Sequence, residues 1–385
     1  MTHPGLTGGP IYLDYNATTP VDPRVADAML PHLTTYFGNP SSSYSYGIDA
    51  KAALATARTQ VAGLIGARPD EIVFTGSGSE ANLLALRGAV LAARKPRNHV
   101  ITQATEHPAV LETCRALHRL HGVRVTVLPV DSEGIVDPAT LAAVLDEQTV
   151  LVSIAAANNE TGTLQPVGEL AELAHRAGAL FHTDAAQAAG KIPLSVGELG
   201  VDLLTVVGHK MYAPKGVAAL YIRDGVQLEP VVYGGGQERG LRSGTENVAL
   251  AVALGTAAQL AIDELASGRG AQLADLRDLL HQRLRNALPG QVHLNGAEGA
   301  RLPNTLNVSI DKILGHELLA AVTGLAASTG SACHSGTHTP SPVLTAMGLD
   351  RKRALSAVRI SLGRWTTPGD IETAAAELTN LAAAQ

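Results

Sequence analysis

Short apolar runs alternate along this chain with stretches whose apolar residues recur at helical spacing. Glu71 to Phe74, His99 to Gln103, Leu151 to Ala155, Leu180 to Thr183, Leu203 to Val207 and Ala218 to Arg223 are rich in β-branched residues and too short for helices. Each reads as a strand, and the most apolar of them as buried parallel strands. Helical spacing runs over residues 48–66 and over an Ala/Leu-rich stretch from about Glu246 to Leu288, broken near Gly268 to Gly270. Another helix is predicted from Val21 to about Thr35, because Pro20 and Pro23 suit a first turn. Beyond residue 290 the alternation resumes on a smaller scale, with strands at Val292 to Leu294 and Asn304 to Ile310 and a helix near His316 to Val322. At 385 residues the chain is long enough for two domains.

Composition narrows the function classes. Apolar residues make up 45% and charged residues 17%, with a net charge of −6, so there is no basic footprint for nucleic acid or an anionic membrane. The opening MTHPGLTGGP lacks the basic and apolar regions of a signal peptide, and no apolar stretch reads as a bilayer span of about 20 residues, so a soluble cytoplasmic protein is expected. Two cysteines, Cys114 and Cys333, form no disulfide framework and no structural zinc site. Cys114 sits in a helical pattern and reads as a small buried hydrophobe.

The chemistry concentrates between Leu180 and Gly216. One apolar run delivers Asp184 with Gln187 three residues on, and the next delivers Gly208-His209-Lys210. Ligands of open α/β sheets sit outside the carboxyl ends of the strands, so an acid and a lysine emerging there can converge on one ligand. A pyridoxal phosphate enzyme needs both, the lysine for a Schiff base and the carboxylate to keep the pyridine nitrogen protonated. A second signal is Thr75-Gly76-Ser77-Gly78-Ser79-Glu80, a Gly/Ser turn between strand and helix that offers free N–H groups to an anion.

The text TDAAQ followed by GHKMYAPKG resembles the cofactor segment of fold-type I pyridoxal phosphate enzymes, in the class V aminotransferase branch that includes the group I cysteine desulfurases. Asn16-Ala17-Thr18-Thr19-Pro20, GNPSS at 38–42, Thr105-Glu106-His107, Asn158-Asn159-Glu160-Thr161-Gly162 and Arg242-Ser243-Gly244-Thr245-Glu246 are similar to family motifs, as is Gly330-Ser331-Ala332-Cys333. The resemblance implies a large domain with a mostly parallel sheet sandwiched by helices and a smaller α/β domain. It divides the chain into an arm over residues 1–20 that joins the small domain and covers the active site, a large cofactor-binding domain over 21–255 and a small domain over 256–385.

It also implies roles. Lys210 carries pyridoxal 5'-phosphate, Asp184 faces its ring nitrogen, Gln187 its ring hydroxyl, and His107 stacks on the ring with Asn159 as a further contact. Gly78, Ser79 and His209 hold the phosphate, together with Thr245 from the neighbouring subunit of a homodimer. Arg359 grips the carboxylate of L-cysteine, since a guanidinium fork matches it, with Arg364 as the lesser choice and Asn39 nearby. Cys333 is the sulfur nucleophile, its thiolate favoured by His334 or His338. Its sulfur then passes to an acceptor protein whose identity the sequence leaves open. Two departures stand out. Val207 fills a slot where many members carry a phosphate-donating serine, and Gly76-Ser77 reverses the usual order. Val207 and the text Ala-Cys-His-Ser are similar to selenocysteine lyase, which is the alternative; a plain class V aminotransferase and an inactive scaffold-type paralogue rank below it.

Overall fold

The computed structural model describes residues 3–93, 97–330 and 339–383. Its centre is a seven-stranded sheet in the spatial order Ile72–Thr75, Ala218–Ile222, Leu203–Val207, Leu180–Asp184, Thr149–Ser153, His99–Gln103, Arg124–Leu128. Only Ala218–Ile222 runs antiparallel to its neighbours, and the remaining pairings are parallel. The inner strands are buried along their whole length, which is why they read as continuous apolar runs rather than alternating ones. One apolar cluster, with Ile101, Val152, Phe181, Leu204 and Val206, lies on one face. A second, with Val100, Leu151, Leu203 and Leu220, lies on the other. Helices cover both faces, as the α/β expectation requires.

A third cluster gathers Leu280, Leu306, Val308, Val358, Ile360 and Leu378 around an antiparallel sheet of Ala357–Ser361, Thr305–Ile310 and Val292–Leu294. The amino-terminal arm belongs to this cluster: Leu13 is buried in it, and Ile11–Tyr12 pairs in parallel with Leu325–Ala326. Beyond Tyr12 the arm crosses to the large sheet, where Thr19 N–H donates to the His209 carbonyl.

Three expectations change. The helix expected from Val21 to Thr35 is two, Pro23–Met29 and Pro31–Thr34, because Pro31 brings no N–H and restarts the helix. The boundary expected between 255 and 256 falls inside one helix, Val248–Ala266, whose Ala258 and Ala261 still pack in the first cluster. Gly268, in the left-handed conformation at φ 77°, makes the break before Arg269–Ala287. That same Val248–Ala266 is long and apolar enough to cross a membrane, contrary to the sequence expectation. It packs instead against Ser45–Leu64, where a Cβ on Gly255 would lie 2.6 Å from the Ala57 Cα.

Candidate active site

Four strand ends and two helix starts build one cavity of about 550 Å³. Asp184 closes its strand and Lys210 follows the next, so parallel neighbours place both at the same edge of the sheet. Asp184 is 8% exposed and its two oxygens are separately held, Oδ2 by Asn82 Nδ2 at 2.7 Å and Oδ1 by Ala186 N–H at 2.9 Å. The carboxylate is therefore fixed in orientation on the cavity wall.

Lys210 Nζ donates to the carbonyls of Asn16 at 2.7 Å and Ala17 at 2.8 Å, both from the arm. Burial, then the positive Arg359, lowers its pKa to about 8, against the opposing pull of Asp184 and Asp14. Gln187 Nε2 donates to the same Asn16 carbonyl at 3.0 Å. His107 caps Pro108–His121, its Nδ1 accepting from Ala109 N–H at 3.1 Å, and its ring is exposed toward the cavity. Loss of water contacts, with Lys210 adding and Asp184 opposing, holds this imidazole below its ordinary pKa.

At the other end, Gly78–Ala92 starts at the cavity with Ser77 as its N-cap, the Ser77 Oγ accepting from Glu80 N–H at 3.1 Å. Gly76 N–H donates to Glu80 Oε2 at 2.9 Å, so the reversed Gly76-Ser77 order gives this helix a capping serine. A Cβ on Gly78 would lie 2.6 Å from Val207 Cγ2, so valine and glycine form one close-fitted pair that leaves the backbone bare to the cavity. Ser79 and His209 also line it. Burial, then Lys210 and Lys215, pushes the His209 imidazole down to about 4, so it stays neutral, with Nδ1 at 3.1 Å from Thr18 Oγ1.

Arg359 lines the cavity from the small sheet and is 4% exposed. Its Nη2 pairs with Asp14 at 2.7 Å and its Nη1 donates to the Asn159 carbonyl at 3.1 Å, while Nε has no partner. That leaves donors for an incoming carboxylate. Arg364, the lesser choice, is spent elsewhere, on Asp22 and Glu264. Asn39 does not line this chain's cavity; it is exposed and its Oδ1 accepts from Ser41 N–H at 2.9 Å. Thr245 is likewise exposed and outside the cavity. Cys333, His334 and His338 lie outside the described residues, although Ser328 and Gly330 before them line the cavity. Cys114 is 2% exposed, its thiol raised to about 12 by burial, as expected of an inert core cysteine. No group of acidic, histidine and cysteine side chains suited to a metal occurs among the described residues.

The site also holds residues that sequence reasoning did not single out. Asn82 holds Asp184 from one turn into the Gly78 helix, and Lys191 bonds Gln187 and Asn16.

These residues fit pyridoxal phosphate: a lysine of lowered pKa, a fixed carboxylate and an imidazole lining the same cavity, and a bare glycine helix start for a phosphate. Comparison with known proteins agrees. The family model described as aminotransferase class-V matches residues 11–373. The chain is 46% identical over 369 residues to a mitochondrial cysteine desulfurase of Drosophila melanogaster, covering 95% of this chain and 79% of that one. It is 44% identical to the cysteine desulfurase IscS of Rickettsia bellii, covering 95% and 89%. Among solved structures, a NifS-like protein superposes with a TM-score of 0.90 at 38% identity, covering 98% of this chain and all of that one. A structure described as SspA in complex with cysteine superposes at 0.82 with 35% identity, covering 93% and 100%.

The chain belongs to the class V aminotransferase family. Within it, it falls with the cysteine desulfurases, and selenocysteine lyase is not favoured.

Proposed function

We propose that the chain is a pyridoxal phosphate-dependent sulfurtransferase that converts L-cysteine to L-alanine and passes the sulfur, through Cys333, to an acceptor protein. The observation that carries this is the convergence of Asp184, Lys210 and Arg359 on one cavity. When bound, pyridoxal phosphate supplies an electron-poor ring that stabilises negative charge at the substrate α-carbon. Every other task falls to side chains of the chain.

Asp184 holds a proton at the ring nitrogen, its own oxygens being locked by Asn82 and Ala186. Gln187 offers an N–H to the ring hydroxyl. Arg359 uses its free Nε and remaining N–H groups to orient the cysteine carboxylate. Lys210, its pKa lowered to about 8, has enough uncharged amine near neutral pH to take the α-proton. His107, neutral at its lowered pKa, would lie beside the bound ring as a proton acceptor. Cys333, as a thiolate, attacks the substrate sulfur; the persulfide S–S bond forms as the Cβ–S bond breaks, and the electron pair left at Cβ takes up a proton to give L-alanine.

The reading includes a cytoplasmic homodimer. Leu30, Leu33, Phe37, Tyr44, Tyr46 and Ile48 are large apolar side chains left exposed on one short stretch, more than a lone surface tolerates without a partner. Asn39 lies within that stretch, so it and Thr245 would serve at the shared interface. The free, buried Cys114 suits a reducing compartment.

The test is alanine release from L-cysteine with a thiol reductant, run on the native protein and Cys333→Ala. Alanine and sulfide from the native protein alone support the reading. Equal activity in the variant sinks Cys333 as sulfur carrier and returns the chain to plain lyase or aminotransferase chemistry.

A further inference from the structure

Beside the cofactor lysine stands a second lysine that the reaction does not use. Lys191 Nζ donates to Gln187 Oε1 at 2.7 Å and to Asn16 Oδ1 at 3.0 Å. It forms no ion pair with a carboxylate among the described residues. It borders a second small cavity of about 30 Å³ that Lys210 also borders.

Its two acceptors are the junction of the site. The Gln187 amide has a nitrogen end and an oxygen end, and nothing in its shape decides which faces the ring. Two neighbours decide it together. Lys191 can only meet an oxygen, and the Asn16 carbonyl, 3.0 Å from the other end, can only meet a nitrogen. Asn16 is itself saturated: its carbonyl also accepts from Lys210, its Nδ2 donates to Thr305 and Asn159, and its Oδ1 accepts from Asn304 as well as Lys191. A turn of the Gln187 amide would set oxygen against oxygen at Asn16 and nitrogen against nitrogen at Lys191.

We propose that Lys191 is a positioning residue that locks the Gln187 amide with its N–H end toward the cofactor ring. Burial, with the positive Lys210 and Arg359 adding, pushes the Lys191 amine well below the ordinary lysine range. Two of its N–H donors are spent on Gln187 Oε1 and Asn16 Oδ1. A methionine at this position keeps the length of the stem and removes the donors. It leaves Gln187 Oε1 without its partner and the amide free to turn.

This inference rests on the reading that the cavity binds pyridoxal phosphate, and the experiment separates the two. Purified native protein, Lys191→Met, Gln187→Ala and the double variant are stripped of cofactor and titrated with pyridoxal phosphate, following the visible absorption band and the dissociation constant. Circular dichroism and thermal unfolding check the fold. Lys191→Met is expected to weaken binding on the order of tenfold and to shift the band. In the Gln187→Ala background the same substitution adds nothing, because the amide it acts through is gone. A purely structural lysine would lower the unfolding midpoint and leave the band and affinity alone, and that result overturns the proposal. So does an additive loss in the double variant. Absence of a visible band in the native protein overturns the cofactor reading and this inference with it. If Lys191→Met does not fold, Lys191→Gln carries the test: it keeps a donor and should bind within about threefold of native, whereas a loss as large as that of Gln187→Ala overturns the lock.

Discussion

Arg359 and Arg364 stand five residues apart, both almost buried, and differ in what is left over. Arg364 is spent: it bonds Asp22 and both oxygens of Glu264, lies 4.0 Å over the Tyr212 ring, and its own N–H donates to the Tyr212 hydroxyl at 2.7 Å. Burial pushes the Asp22 carboxyl up, yet the hydrogen bonds from Arg24 and Arg364 outweigh it and hold the pKa at about 2. No buried atom of these side chains lacks a partner. Around the cavity the opposite holds. Of the residues that line it, Arg359 Nε, Asn82 Oδ1 and Thr105 Oγ1 are buried without one. Buried polar groups left unmatched are rare, and their gathering at one place marks where a ligand is to complete the bonding.

The comparison breaks most readily at Lys210. Lys210→Ala should lose activity by roughly 10³-fold or more, since both a covalent attachment and a base disappear. Thermal stability should hold or rise, because a crowded amine of lowered pKa is removed. A variant that keeps even a tenth of native alanine release would move the chemistry away from this lysine.

At the spent site the expectation reverses. Arg364→Met strips Glu264 of its partner and leaves Asp22 with Arg24 alone, and should cost about 3 kcal/mol of stability. The protein that remains folded should turn over at the native rate. Urea unfolding and kcat per folded protein separate the two effects, and an unaltered unfolding midpoint would contradict the contrast. Arg359→Lys tests the unmatched site: KM for cysteine should rise roughly 10- to 100-fold as the planar fork is lost, with little change in unfolding. A fall in kcat at constant KM would mean that Arg359 does not hold the substrate carboxylate.

Much of the site could be read from the chain because strand ends announce themselves. Leu203–Val207 is bounded by Asp202 and Gly208, and its apolar run has no other use than a buried strand. Asp184 and Lys210 were legible for the same reason. Lys191 and Asn82 were not, because their meaning lies in partners brought close by folding. Asn82 meets Asp184 across 102 positions, and Lys191 meets Asn16 across 175. Arg124–Leu128 escaped notice as an edge strand, half exposed and opening on a charged residue, with no continuous apolar run to betray it. Thr245, which the resemblance assigns to a neighbouring subunit's site, and Asn39, which it assigns to the substrate carboxylate, do not line this cavity.

The last expected effect lies beneath the cavity, at Glu106. It is 4% exposed; Oε1 accepts from Ala155 N–H at 2.6 Å and Gln103 Nε2 at 3.1 Å, and Oε2 has no partner. Burial, with the negative Asp184 adding, raises its pKa to about 8 from an ordinary 4.5. Between those values the folded chain keeps a proton that the unfolded chain has released. The stability contributed by this group therefore falls as pH rises from about 4.5 and reaches its minimum above about 8. Glutamine has the same shape and no proton to lose, so Glu106→Gln should match the native protein near pH 5 and exceed it at higher pH, by a margin that stops growing once Glu106 has ionised. Urea unfolding across that range reads the margin directly. Parallel pH profiles for the two proteins would show that Glu106 is an ordinary carboxylate, and that the unmatched oxygen under the cavity already has its partner.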